Sequence, residues 1–358
     1  MKVALFSVVA VISFVLRGQD IPQPDKSQVA VESIDNSMFT NNKIWRGADG
    51  GATIDLGKGK ILWLFSDTFI DTLATGKRRN SKIINNSIAI QDGNSLADSK
   101  ISFYYRGTRE KPKSFFELPG DTWFWTGHGT IVKDKLIIFL FEEKKTNTAF
   151  GFESIGWRVA IIENPNDKPQ KWRITYSREL DTFGVIVGSS AVLKDKDFIY
   201  AYGVLEPGSH EVYLLRFPID NIIDGDLSGL QWWMNGIWKT RTSLDPKPTP
   251  LFKGQTEFSI HYQPNLGKFI QIQTYGFGDA SLGYRLATRL EGPWSKPVIF
   301  YKPELDDQKD FVYTANAHPE LNNDGIIISY NVNNFDFERL LSNENIYFPR
   351  LIKINFIK

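Results

Sequence analysis

Five times along this chain a Gly- or polar-led opening is followed by a short strand, a tight turn and a stronger apolar strand. No long helical periodicity intervenes. The segments are GADGGATIDLGKGKILWLFSDT from Gly47, TGHGTIVKDKLIIFLFEE from Thr126, GSSAVLKDKDFIYAYGVLE from Gly188, GQTEFSIHYQPNLGKFIQIQTYG from Gly254 and NAHPELNNDGIIISYNVN from Asn316. Their markers Asp49, His128, Ser189, Glu257 and His318 are 79, 61, 68 and 61 residues apart. That spacing exceeds a WD40 repeat and suits a four-stranded blade with long loops. Further strand-like runs complete the blades: GWRVAIIE, EVYLLRFPI and LGYRLATR. The pattern predicts an all-β chain in which residues 44–358 form one domain, a five-bladed β-propeller, with a two-sheet sandwich as the alternative.

The first residues read differently. Lys2 precedes an apolar run from Val3 to Leu16, broken only by Ser7 and Ser13, and Arg17-Gly18-Gln19-Asp20 follows. This is the layout of a secretory signal peptide over residues 1–18, and the run is short for a membrane span. An uncleaved anchor is the alternative. Residues 19–43 read as a polar leading segment. The expectation is a secreted or periplasmic monomer that has no membrane partner once the signal is removed.

Composition removes several chemistries. The chain has no Cys, which excludes disulfides, thiolate zinc sites, thiol nucleophiles and a lipoprotein attachment point. Forty-two Lys+Arg balance 41 Asp+Glu, so there is no electrostatic footprint for nucleic acid. The four His form no HExxH pattern and no DxDxDG loop is present. No cofactor is expected, although a structural cation held on the axis by scattered ligands would leave no trace in a sequence.

Residues paired in a hairpin have number sums that stay constant, and side chains directly across lie about 4.5–5.5 Å apart at Cβ. A turn centred on Lys58 sets Asp49 opposite Asp67. Turns near residues 134, 195–196, 266 and 323–324 pair His128 with Leu140, Ser189 with Tyr202, Glu257 with Tyr275, and Asn316 with Asn331. Each pair lies at the open end of its hairpin, so all five are expected to gather around one funnel. A slip of one residue would redirect them.

Three carboxylates in that funnel match a chemistry. Glycoside hydrolysis needs one carboxylic acid to protonate the leaving oxygen and a second carboxylate to attack or to activate water. Asp49 sits among Gly47, Gly50 and Gly51, which leave backbone room for a ligand. Glu257, beside Phe258 and facing Tyr275, is expected to have the raised pKa of a general acid. Asp67 is placed to hold or tune Asp49. Both Asp residues also fit a purely structural reading as turn caps. Trp45, Trp123 and Trp125 precede inner strands, where loops reach the mouth; they are candidates for stacking on sugar rings or for packing between sheets. His128 and His318 are candidate donors to sugar hydroxyls or structural donors. Arg46 is a candidate for a substrate oxygen or a carboxylate. Ser189, Tyr275, Asn316 and Asn331 complete the substrate-binding set.

The run IWRGADGGATIDLGKGKILWLFSDTF resembles the opening of the DUF4185-type family, whose pattern is G-A-D-G-G and then W-x-F-G-D-T-F. Ser66 stands where that family usually has Gly. TWFWTGHGTIV and YTANAHPEL are in keeping with it, so the likeness covers most of the chain after its leader. The resemblance implies a five-bladed fold similar to the arabinanase and xylosidase clan, and endo-acting cleavage of D-arabinan. By position it also implies that Asp49 is the base and Glu257 the acid. The clan's third-blade Asp is absent: GSSAVL offers Ser189 and Ser190, which makes Asp67 the replacement. Sialidases match less well, because no SxDxGxTW box appears. The function expected is an exported glycoside hydrolase cleaving an arabinan-like or other furanose- or pentose-containing polysaccharide or oligosaccharide. A non-catalytic glycan-binding propeller and a structural or protein-interaction propeller are the competing readings.

Overall fold

The computed structural model describes residues 28–357 except 98, 149, 150, 322 and 323. The signal peptide expected over residues 1–18 lies outside the described residues.

Runs such as Leu136–Phe141 and Ile61–Ser66 are apolar, or nearly so, at every position, and their residues are all buried. A strand with no polar face must be covered on both sides, the condition that stacked sheets create. The chain meets it with five antiparallel sheets laid down in sequence order. The first contains Trp45–Gly57, Lys60–Asp71, Ser87–Asp92 and Lys100–Tyr104, with Ser81–Ile84 beside the second strand. The second contains Thr122–Val132, Lys135–Lys145, Phe152–Ile162 and Ile174–Tyr176. The third runs through Val185–Asp195, Phe198–Leu205, Glu211–Pro218, Gln231–Met234 and Ile237–Lys239. The fourth contains Ser259–Gln263, Lys268–Tyr275, Ser281–Ala287 and Val298–Tyr301.

The fifth sheet is a composite. Asp310–Ala317, Ile326–Asn334 and Arg350–Phe356 are completed at the outer edge by Val29–Ile34, which pairs antiparallel with the C-terminal strand from Val29↔Phe356 to Ile34↔Leu351. Part of the segment read from the sequence as a leader is therefore built into the last blade. The innermost strands touch in ring order, one to five and back to one. Five hydrophobic cores fill the five gaps between neighbouring blades. The fold is a five-bladed β-propeller.

The inner hairpins are not regular. Bulges interrupt the first near Ala48 and Gly50, the second at Ile138/Leu140, the third at Val187/Val192 and the fifth at Tyr313/Asn316. A bulge adds unpaired residues to one strand and re-aims their side chains. Most of the expected pairs shift as a result. Leu140 faces Thr126 and not His128. Ser189 falls inside its bulge, unpaired with Tyr202. Asn316 faces Ser329, while Asn331 faces Tyr313. Glu257 precedes its strand, which begins at Ser259, and Tyr275 pairs with Ser281. In the first hairpin Ala48↔Thr68 keeps the expected register, and Asp49 and Asp67 lie beside that pair.

Candidate active site at the propeller axis

Where the bulged strands meet, a small cavity of about 10 Å³, room for about one water molecule, opens on the axis. Every blade contributes to its wall: Gly50, Gly51 and Ala52; Thr126 and Gly127; Ser189 and Ser190; Glu257; Asn316. Close approach of the inner strands depends on residues without a side chain. A Cβ on Gly127 would lie 2.2 Å from the Gly188 carbonyl oxygen.

Glu257 lines this cavity, and Asp49, whose neighbour Gly50 also lines it, feels the charges of both Asp67 and Glu257. Each of these carboxylates keeps part of its surface open and is otherwise enclosed by protein. Asp49 accepts hydrogen bonds from the hydroxyls of Tyr313 and Tyr347, the latter at 2.7 Å. Burial pushes the Asp49 carboxyl well above its ordinary pKa; the neighbouring charges of Asp67 and Glu257 add to the rise, and the Tyr347 hydrogen bond opposes it. Asp67 is pushed to about 6 by burial, against hydrogen bonds from Trp125 and Asn85 that favour its ionised form. Trp125 Nε1 donates to Asp67 Oδ1 at 2.8 Å. Glu257 rises to about 8 through burial alone, and its Oε2 is buried without a partner.

The loop carrying Tyr347 is held from below. Arg78 is fully buried and donates to the carbonyl oxygens of Arg46, Leu340, Asn343 and Ile346 at 2.6–3.0 Å. Tyr347 itself has a left-handed backbone (φ 64°), an unusual state for a bulky residue and one that clusters at functional sites. Gly47 lets the loop approach, since a Cβ there would stand 2.1 Å from the Tyr347 carbonyl oxygen. The loop ahead of Glu257 is pinned by the third blade. Ser190 Oγ donates to the Thr256 carbonyl at 3.0 Å, and Thr256 Oγ1 donates to Glu206 Oε1 at 2.7 Å.

Of the residues expected to meet substrate, the structure brings Ser189, Asn316 and Trp125 to the pit. Trp123 stands beside Trp125, half-buried, at 6.4 Å between ring centroids. Others are structural. Trp45 is 1% exposed, stacks on Phe103 and donates to Ser87, because an odd step along the bulged strand turns it into the core between blades five and one. Arg46 pairs with Glu344 at 2.9 Å and caps the carbonyls of Thr40 and Asn42. His128 has both ring nitrogens engaged, Nδ1 accepting from the Val192 amide and Nε2 against the Thr53 carbonyl oxygen, which ties blades one, two and three together. His318 packs on Trp63 and bonds Thr53; burial and the neighbouring His128 and His261 hold its pKa near 3. Asn331 donates to the Ala48 carbonyl and accepts from Thr314, fixing the backbone just before Asp49. Tyr275 packs over Gly283 in the fourth blade and pairs with Ser281, while Glu257 lies ahead of the strand it was expected to share.

Four participants escape the sequence reading: Tyr313, Tyr347, Asn85 and Glu143. Glu143 has no exposure, and burial lifts it to about 8, with Asp67 and Glu206 adding to the rise. Its Oε2 has no partner. An acidic pair closing the apolar run KLIIFLFEE was the available signal. Nothing local marks the two tyrosines, which reach Asp49 from the fifth blade. Among the described residues, no three His, Cys, Asp or Glu side chains are grouped to hold a metal ion.

The fold and this pit define a five-bladed propeller with an axial cluster of buried carboxylates. The chain belongs to the family described as "Domain of unknown function (DUF5005)", whose model matches residues 35–356. This replaces the DUF4185-type family: that resemblance rested on short motifs in the first, second and fifth blades, whereas the family match runs through all five. No curated protein sequence matches the chain. Among solved structures, a "putative hydrolase" from Bacteroides ovatus ATCC 8483 is similar at a TM-score of 0.72 and 17% identity, covering 94% of this chain and 96% of its own. The GH43_1 enzyme from Xanthomonas citri complexed with xylose is similar at 0.50 and 14% identity, covering 91% of each chain. At these identities the likeness is one of fold.

Proposed function

We propose that the axial pit is the active site of an exported glycoside hydrolase acting on a pentose-containing, arabinan-like glycan. One observation carries this reading: Glu257 of the fourth blade lines the same cavity as Gly50 and Gly51, the residues that follow Asp49 in the first blade, and its charge bears on Asp49. Glu257, near 8, holds its proton at neutral pH and gives it to the glycosidic oxygen as the bond to the anomeric carbon breaks. Asp49 acts in its ionised form, which the Tyr347 hydrogen bond favours and burial opposes, and takes the proton from a water that attacks that carbon, while Asp67 tunes its charge. The two tyrosine hydroxyls orient the Asp49 carboxylate. Similarity in fold to a xylose-binding GH43_1 enzyme supports a pentose substrate. No cofactor enters the scheme, and a monomer suffices because every group comes from one chain.

A glycan-binding protein without turnover is the second reading, favoured by Ser189 and Ser190 where the enzyme clan has an Asp. The deciding experiment incubates purified protein with a panel of arabinans, xylans and galactans and measures released sugars. Product from at least one, lost in Asp49→Asn and in Glu257→Gln, supports hydrolysis. Binding to a glycan with no release from any member of the panel favours the second reading.

A further inference from the structure

Outside the five cores, four aromatic rings touch one another at the open end of the fifth blade. Phe311 and Tyr313 lie two apart on the innermost strand, with centroids 5.2 Å apart. Phe335, just past the end of the second strand, stacks on Phe311 at 4.4 Å. Phe277, from the loop that ends the second strand of blade four, stacks on Phe311 at 6.2 Å and 19°. The Val312 amide donates to the Gly278 carbonyl at 3.0 Å and locks this loop against the strand. None of the four rings belongs to a core cluster, and Phe277 remains 45% exposed. Isolated surface aromatics need no explanation; a contiguous set outside every core, three rings half-buried and one exposed, does.

The set begins at a catalytic candidate, because Tyr313 donates to Asp49. Blade two presents the mirror arrangement on the other side of blade one: Trp125, bonded to Asp67, packs edge-on with Phe152 at 4.7 Å and Trp123 at 6.4 Å. The carboxylates therefore lie part-way along an aromatic track. We infer that Phe277, Phe311 and Phe335 form a distal platform that holds sugar residues of a glycan chain whose scissile bond lies over Asp49. Sugar rings offer apolar C–H faces to such rings, and polar groups border the platform for their hydroxyls: Asn333, 3.4 Å from the Tyr313 hydroxyl, and Asp279, paired with Lys302 at 2.6 Å. The inference rests on the glycan reading of the pit and adds where the chain lies.

The test is calorimetric titration of Asp49→Asn protein with hexasaccharides and disaccharides of arabinose and of xylose. The same titrations are run on Asp49→Asn combined with Phe277→Ala, with Phe335→Ala, and with Leu244→Ala, a control at an unrelated exposed side chain. The expected result is a hexasaccharide bound more tightly than its disaccharide. Phe277→Ala and Phe335→Ala should each weaken that hexasaccharide about tenfold and the disaccharide less than twofold, with Leu244→Ala silent. Hexasaccharide affinity unchanged by both Phe variants, while wild-type protein still releases sugars, overturns the platform and leaves the hydrolase intact. A Phe-dependent hexasaccharide preference with no sugar release from wild-type protein keeps the platform and removes the hydrolase. Failure of all four probes to bind overturns the platform outright.

Discussion

At the residue scale, the function proposed rests on two protonation states that must coexist. Asp49→Asn and Glu257→Gln are each expected to lower turnover about 10²–10⁴-fold with no fall in unfolding midpoint; full activity in either variant removes that residue from the mechanism. Activity should fall as pH rises through about 8, where Glu257 loses its proton, and should fall on the acid side as Asp49 and Asp67 gain theirs. The Tyr347 hydroxyl lowers the Asp49 pKa, so Tyr347→Phe should move the acid limb of the pH–rate profile to higher pH. Glu143 gives a separate stability prediction. Its folded pKa, about 8, exceeds an unfolded value of about 4.3, so the native state keeps a proton that the unfolded chain releases between them. The stability associated with Glu143 is thus full at acid pH and lost as pH rises toward 8. Glu143→Gln should match wild type in urea midpoint near pH 5 and exceed it at pH 8, by an amount on the order of 2–4 kcal/mol.

At the element scale, the decisive features are bulges and one buried cation. Asp49 and Asp67 were legible as neighbours because the Ala48↔Thr68 pair keeps the register of a simple hairpin. The partners proposed for His128, Ser189 and Asn316 were not, because each of their hairpins carries a bulge between the turn and the open end. A bulge is set by how the inner strands crowd the axis, which no local pattern records. Arg78 shows the same limit. In sequence it is one of two adjacent arginines, yet it closes four backbone carbonyls under the Tyr347 loop. Arg78→Met should cost at least about 3 kcal/mol, since buried acceptors would lose their donor. Chemical denaturation measures that cost, and a loss below about 1 kcal/mol would show that water replaces the guanidinium.

At the scale of the whole molecule, ring closure joins the two ends of the fold. Val29–Ile34 seals the fifth blade against Arg350–Phe356, with Val29 only 2% exposed. A chain starting at residue 44, the boundary the sequence suggested, should melt at least about 5 °C below one starting at residue 28. Equal melting temperatures would mean that the outer strand contributes nothing to closure. Strand composition gave no warning of this role, because VAVESI is short, carries a charge and lies beyond a polar stretch.

The sequence by itself determined the number of blades, the all-β class and the hairpin that carries Asp49 and Asp67. These depend on local turn chemistry and on apolar runs that must be covered on both faces. Only the tertiary structure decided that Trp45, Arg46, His128 and His318 serve the scaffold, that Tyr313 and Tyr347 serve Asp49, and that the charges of Asp67 and Glu257 bear on Asp49. Burial and long-range contact set those outcomes, and both are properties of the closed ring rather than of any segment within it.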